Sequence, residues 1–169
     1  DRPACGTRSP VPGTGSLPRP PAPGRPSTAI AWHGAIIHTI SGDGIETPAF
    51  EPPVRGGSVS LSPDERWILY SSTESGQTEV YVRRWPGGAS AHQISVSGGI
   101  SPGWSADGRE VFYWQWSDEL GESTLYSVAF DGSLDRPVPG SPVRLFDARI
   151  SLVSQHRSWD VGTDGRFLV

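Results

Sequence analysis

The chain has 169 residues, about one domain's worth, with 35% hydrophobic and 19% charged residues, 21 Gly and 17 Pro. Gly and Pro both oppose helices, while seven Trp, four Tyr and five Phe supply bulk for a core, so the composition predicts a turn-rich β protein. A net charge of −4 excludes a general nucleic-acid binder, which would carry a basic footprint.

All 14 basic residues are Arg, and Lys, Asn and Met are absent, a pattern of GC-rich coding. Without Met, the chain is expected to be a fragment or processed piece of a longer protein. Cys5, the single cysteine, can form no disulfide within the chain. No secretory signal is recognisable at the N-terminus. The longest apolar stretch, Ala29 to Ile40, contains two His. It falls short of the ~18 residues that span a bilayer, so no membrane insertion by this segment is expected.

Residues 1–27 contain eight Pro and no apolar period, and read as a disordered Pro-rich tail or linker. Residues 28–56 read as partial strands and a connecting loop. Their β-branched content suggests two short strands broken near Gly34, then a turn over Ser41–Gly44. From Thr47 to Gly57 the prolines exclude a central strand and predict a loop.

From Gly57 onward aromatic and β-branched runs alternate with Gly, Asp and Ser turns, and the chain repeats itself. Ser58–Tyr70, Ser101–Tyr113 and Ser158–Val169 align, with Asp64, Asp107 and Asp164 in register and Arg66, Arg109 and Arg166 two places later. The first spacing, 43 residues, is that of a four-stranded propeller blade; the second, 57, requires an insertion, placed at Asp135–Pro142 with the loop before Thr124 contributing. In each unit a first strand ends at Leu61, Trp104 or Val161, and an Asp turn follows. Gly108 and Gly165 suit a positive φ in that turn, where the first unit has Glu65. The second strands, Trp67–Tyr70, Val111–Tyr113 and Phe167–Val169, are unbroken apolar runs, as a strand covered on both faces requires. Third strands are expected at Glu79–Arg83 and Thr124–Val128, and fourth strands at His92–Ser95 and Val143–Phe146. The predicted fold is therefore all-β: an incomplete β-propeller of two to three four-stranded antiparallel blades, at about 57–99, 100–148 and, in part, 149–169.

Other motifs carry less. Gly99–Gly103 fits the G-x-S-x-G hydrolase pattern, but Ser101 leads into another strand, where that elbow needs a helix. His33, His38, His92 and His156 show no zinc-protease spacing, and His33 and His38, five apart, are expected on opposite strand faces. The repeated aspartates read as turn formers, and Ser41–Gly44 has a single acidic residue where a calcium loop needs several. Gly13–Pro18 lacks the Lys of a phosphate loop. Trp85, Trp114 and Trp116 read as interior or inter-blade packing, with a ligand or protein contact on a loop rim as the other reading. No catalytic residue, metal ligand or cofactor is expected, and the binding residues are left unassigned.

Ser60–Gly88, Ser101–Tyr113, Ser141–Asp147 and Trp159–Val169 resemble the TolB-like, WD-repeat-like β-propeller family, which has a Ser-Pro-Asp-Gly-Arg turn and a Glu-Val-Tyr-Val strand. Within it, the motifs look most like the C-terminal propellers of bacterial serine/threonine protein kinases. The resemblance implies a non-catalytic scaffold that binds a protein or small ligand, on the extracytoplasmic or periplasmic side. Its alternative implication is the non-catalytic gating propeller of a prolyl-oligopeptidase-type serine peptidase. Residues 1–46 do not look like the preceding blade of that family, and Gly57–Val169 spans about 2.6 periods, too few to close a ring of ~4–8 blades. An open stack exposes an apolar face and strand edges, so the chain alone is expected to be marginally stable or aggregation-prone.

Overall fold

The computed structural model describes residues 29–33, 36–40, 43–50, 58–88, 90–116, 122–134, 136–149, 159–162 and 164–169. The expectations for residues 1–27 and for His156 lie outside them. Every regular element among the described residues is a strand, and no helix there is long and apolar enough to cross a membrane.

Three strands come first: β1 (Ala29–His33), β2 (Ile36–Ile40) and β3 (Glu46–Phe50), an antiparallel meander in that order. The two expected strands are there, but β3 covers Thr47–Phe50, where a loop is expected. Pro48 is tolerated because β3 is an edge strand, and the ladder shifts register between Ile37 and His38, beside its partner position. A second correction concerns the histidines. His33 pairs with Ile36, and alternate residues share a face, so positions 33 and 38 fall on one face of the hairpin rather than on opposite ones.

The next sheet is a four-stranded blade in sequence order: β4 (Val59–Leu61), β5 (Trp67–Ser72), β6 (Glu79–Arg84) and β7 (Ala91–Gln93). The second blade runs β8 (Ile100–Trp104), β9 (Glu110–Trp116), β10 (Ser123–Asp131) and β12 (Val143–Ala148). Its third strand is longer than expected. The first part of β10 pairs with β12, while Phe130 and Asp131 pair with β11 (Val138–Pro139). The insertion anticipated at Asp135–Pro142 thus adds a short strand to the outer edge of the blade. A final hairpin, β13 (Asp160–Val161) with β14 (Phe167–Leu168), begins a third unit.

Alternation within the central strands builds the core. Trp67 and Leu69 of β5 join Trp104, Val111, Tyr113, Val128 and Phe130 of the second blade in one buried cluster. The intervening Ile68 and Tyr70 point the other way and are equally buried, at 0% and 1% exposure, and β1 lies against β4 nearby. In β9, Val111 and Tyr113 face the first blade, while Phe112 and Trp114 cluster with Leu125, Trp159 and Phe167 on the other side. Phe130 meets the edges of Trp67 and Trp104 at centroid distances of 5.6 and 4.9 Å, and Phe112 meets Phe167 at 5.1 Å.

Two indoles tie blade to blade by direction as well as bulk. Trp104 donates its Nε1–H to the Ser60 carbonyl at 3.1 Å, and Trp159 donates to the Ser101 carbonyl at 3.0 Å. In the repeat alignment each indole reaches the first strand of the preceding unit, one position before its own. Exposed apolar residues gather on the outer and final strands, among them Val143, Leu145 and Leu168.

Trp114 and Trp116 separate core from rim within one strand: the first is fully buried and the second 49% exposed. Trp114→Ala is expected to cost about 3–5 kcal/mol in urea unfolding. Trp116→Ala is expected to cost under about 1 kcal/mol. Equal costs would show that β9 is not covered on its second face.

Candidate functional site

The repeated Asp turns form one end of the stack. In the first, the Ser62 hydroxyl donates to Asp64 Oδ1 at 2.6 Å, the Arg66 amide donates to the same oxygen at 3.1 Å, and the Trp67 amide donates to Ser62 Oγ at 2.9 Å. The second repeats this with Ser105 donating to Asp107 Oδ1 at 2.7 Å, the Arg109 amide to Asp107 at 3.1 Å and the Glu110 amide to Ser105 Oγ at 2.9 Å. In the third, Gly162 stands where the others have Ser. Asp164 compensates by accepting both the Arg166 amide at 3.1 Å and its Nε–H at 2.6 Å. The residue after each Asp turns left-handed: φ is +56° at Glu65, +70° at Gly108 and +76° at Gly165.

Between the first two turns lies an open cleft of about 730 Å³, floored by Trp67 and Phe130 and rimmed by Asp64, Glu65, Arg66, Asp107, Arg109 and Asp131. Trp67 closes its base by donating Nε1–H to the Gly132 carbonyl at 3.3 Å. Hydrogen bonds from Ser105 and then the Arg109 amide hold the Asp107 carboxyl below its ordinary 3.8. Ser133 does the same for Asp131, and Arg166 for Asp164. Groups depressed in this way stabilise the fold above the unfolded value of 3.8, and that contribution is lost as pH falls through their folded values. At neutral pH they are ionised acceptors, suited to receiving hydrogen bonds from a partner and unsuited to donating a proton as a general acid.

The other sequence candidates do not converge. Ser101 sits in β8, 7% exposed with φ +52°, at a β-bulge between Ile100 and Gly103, and the next element is β9. The strand-to-helix context of a nucleophile elbow is therefore missing. His38 contacts Glu46 at 3.1 Å, and His92 lies on β7 opposite Val82. Among the described residues no three His, Cys, Asp or Glu side chains gather as a metal site. Trp85 and Trp114 are core residues, and Trp116 alone of the three is exposed.

Sequence reasoning passed over the opposite end of the first blade. There Glu79, 1% exposed, accepts from Gln77 Nε2 at 2.5 Å and from the Gly98 amide at 2.9 Å, and Ser95 donates its hydroxyl to the other carboxylate oxygen. The Tyr113 hydroxyl nearby is pushed up to about 12, first by burial and then by Tyr126 and Glu79. The signal was the polar Gln77 and Glu79 flanking an apolar strand, but their partner is set by strand register.

No protein-family model matches the chain, and no curated protein matches it. Solved structures do. A protein assigned as TolB from Agrobacterium tumefaciens superposes with a TM-score of 0.50 at 25% identity, over 66% of this chain and 41% of that one. The fold is a TolB-like β-propeller. TolB from Acinetobacter baumannii gives a TM-score of 0.47 at 13% identity, over 67% of this chain and 28% of that one. The chain spans less than half the length of either TolB structure.

Glu65 holds a left-handed conformation that glycine adopts without penalty, as Gly108 and Gly165 do in the equivalent turns. Glu65→Gly is expected to raise stability by about 1 kcal/mol in denaturant unfolding, the relief of backbone strain exceeding the added entropy of the unfolded chain. A destabilised variant would show that Glu65 makes a contact worth more than its strain.

Proposed function

We propose that this chain is a non-catalytic β-propeller segment that binds a protein or a small ligand. We place it in the C-terminal part of a larger bacterial protein, such as a receptor-like serine/threonine kinase, with the propeller extracytoplasmic or periplasmic. The observation that carries this reading is the use of the repeated polar residues: each Ser and Asp of the first two turns bonds backbone amides of its own turn. A repeat built this way makes surfaces, not a converged acid, base and nucleophile. The cleft between the first two Asp turns is the contact we favour, since its ionised rim offers acceptors over an aromatic floor. The TolB-like fold supports the scaffold role, and the kinase context rests on the resemblance of the sequence motifs.

The test has two parts. A fluorophosphonate probe, which labels activated serine nucleophiles, is expected to leave the chain unlabelled, with Ser101→Ala indistinguishable from the parent. Labelling abolished by Ser101→Ala would make the chain a hydrolase and end the scaffold reading. The flanking reading frame decides the context. A Gly-rich loop and an HRD motif upstream fit the kinase, whereas a G-x-S-x-G elbow between strand and helix downstream would make this a peptidase's gating propeller.

A further inference from the structure

The third strand of each blade carries a polar residue two places before its tyrosine, Glu79 before Tyr81 and Thr124 before Tyr126. Each meets a polar partner from the fourth-strand side. Thr124 stands opposite Asp147 and donates its hydroxyl to Oδ1 at 2.7 Å. Extending the Tyr81–Gln93 register by two residues sets Glu79 opposite Ser95, whose hydroxyl donates to Glu79 Oε2. The chemistry is the same, a hydroxyl on a carboxylate, with donor and acceptor exchanged between the strands.

The surroundings differ. The Thr124–Asp147 pair faces solvent, whereas Glu79 and Ser95 are 1% and 0% exposed. A carboxylate removed from water is costly unless directed donors replace the lost hydration. Glu79 has three: the Ser95 hydroxyl on one oxygen, and Gln77 Nε2 and the Gly98 amide on the other. Ser95 Oγ also accepts the Val80 amide at 2.7 Å. The segment 94–99 is thereby wrapped around one carboxylate, and it is the segment that joins β7 to β8.

Other features show how closely that strap is held. Ser97 adopts a φ of +66° without being glycine. From the second blade, Gln115 Nε2 donates to the Ser97 carbonyl at 2.6 Å. The Gly99 amide donates to the Thr78 carbonyl at 2.9 Å, and a Cβ on Gly99 would lie 2.4 Å from Ser95 Oγ, so only glycine passes there.

We propose that Glu79 is a positioning residue whose carboxylate anchors the strap 94–99 and thereby fixes where β8, and with it the second blade, stands beside the first. Burial of apolar surface is non-directional. A buried carboxylate with three directed donors adds a fixed position to it, beside the indole bonds between blades.

Amide hydrogen exchange on the whole chain tests this. In the unmutated protein the Gly98 and Gly99 amides are expected to be protected like those of β6, although they lie in a connection. Ser95→Ala and Glu79→Gln are expected to speed Gly98 exchange roughly tenfold or more, while β9 amides change by less than about twofold. Gly98 exchanging as fast as the exposed turn 73–77 in the unmutated protein would overturn the proposal, even if neither variant folds. Equal acceleration at every strand in both variants would overturn it as well.

Discussion

A strand buried on both faces must be covered from both sides, and the architecture follows from that requirement. β9 is the pivotal case. Its odd-numbered Val111 and Tyr113 pack on the first blade, and its even-numbered Phe112 and Trp114 pack on the hairpin that begins the third unit. One isolated sheet would leave one of those faces in water, at roughly 25 cal/mol for each Å² of apolar surface. Stacked sheets satisfy both, and β5 obeys the same rule one blade earlier. The final hairpin has no further unit beyond it among the described residues, and Leu168 is 75% exposed.

Polar groups divide the labour around that core. At one end, Asp turns close each first-to-second strand connection, and the first two leave ionised carboxylates along an open cleft. At the other, a buried carboxylate gathers the connection between blades. Between the two ends, indole N–H groups reach the backbone of the preceding blade. Directed bonds fix the stagger of the blades, and apolar area supplies most of the attraction.

What could be read in the sequence was local chemistry that recurs. The Asp turns announce themselves because Ser62, Asp64 and Arg66 act within a few residues of one another and return as Ser105, Asp107 and Arg109. The insertion was legible from spacing alone, although the strand it forms at Val138–Pro139 was not. Facts that depend on register were hidden. Pro48 excludes a central strand but says nothing of an edge, so β3 looked like a loop. The common face of positions 33 and 38 follows only from the pairing of His33 with Ile36. Glu79 and Ser95 are separated by 16 residues, and nothing in either neighbourhood names the other as its partner. The candidate cleft was likewise invisible, since it exists only once two blades stand side by side.

The most direct measurement of the two-sided packing is a set of proton–proton contacts in solution. The account requires Phe130 to contact both Trp67 and Trp104, and Phe112 to contact Phe167, in the same folded molecules. Observing both sets would establish that neighbouring sheets cover the second blade from either side. Contacts on one side only, or Phe112 rings averaged as in solvent, would contradict it.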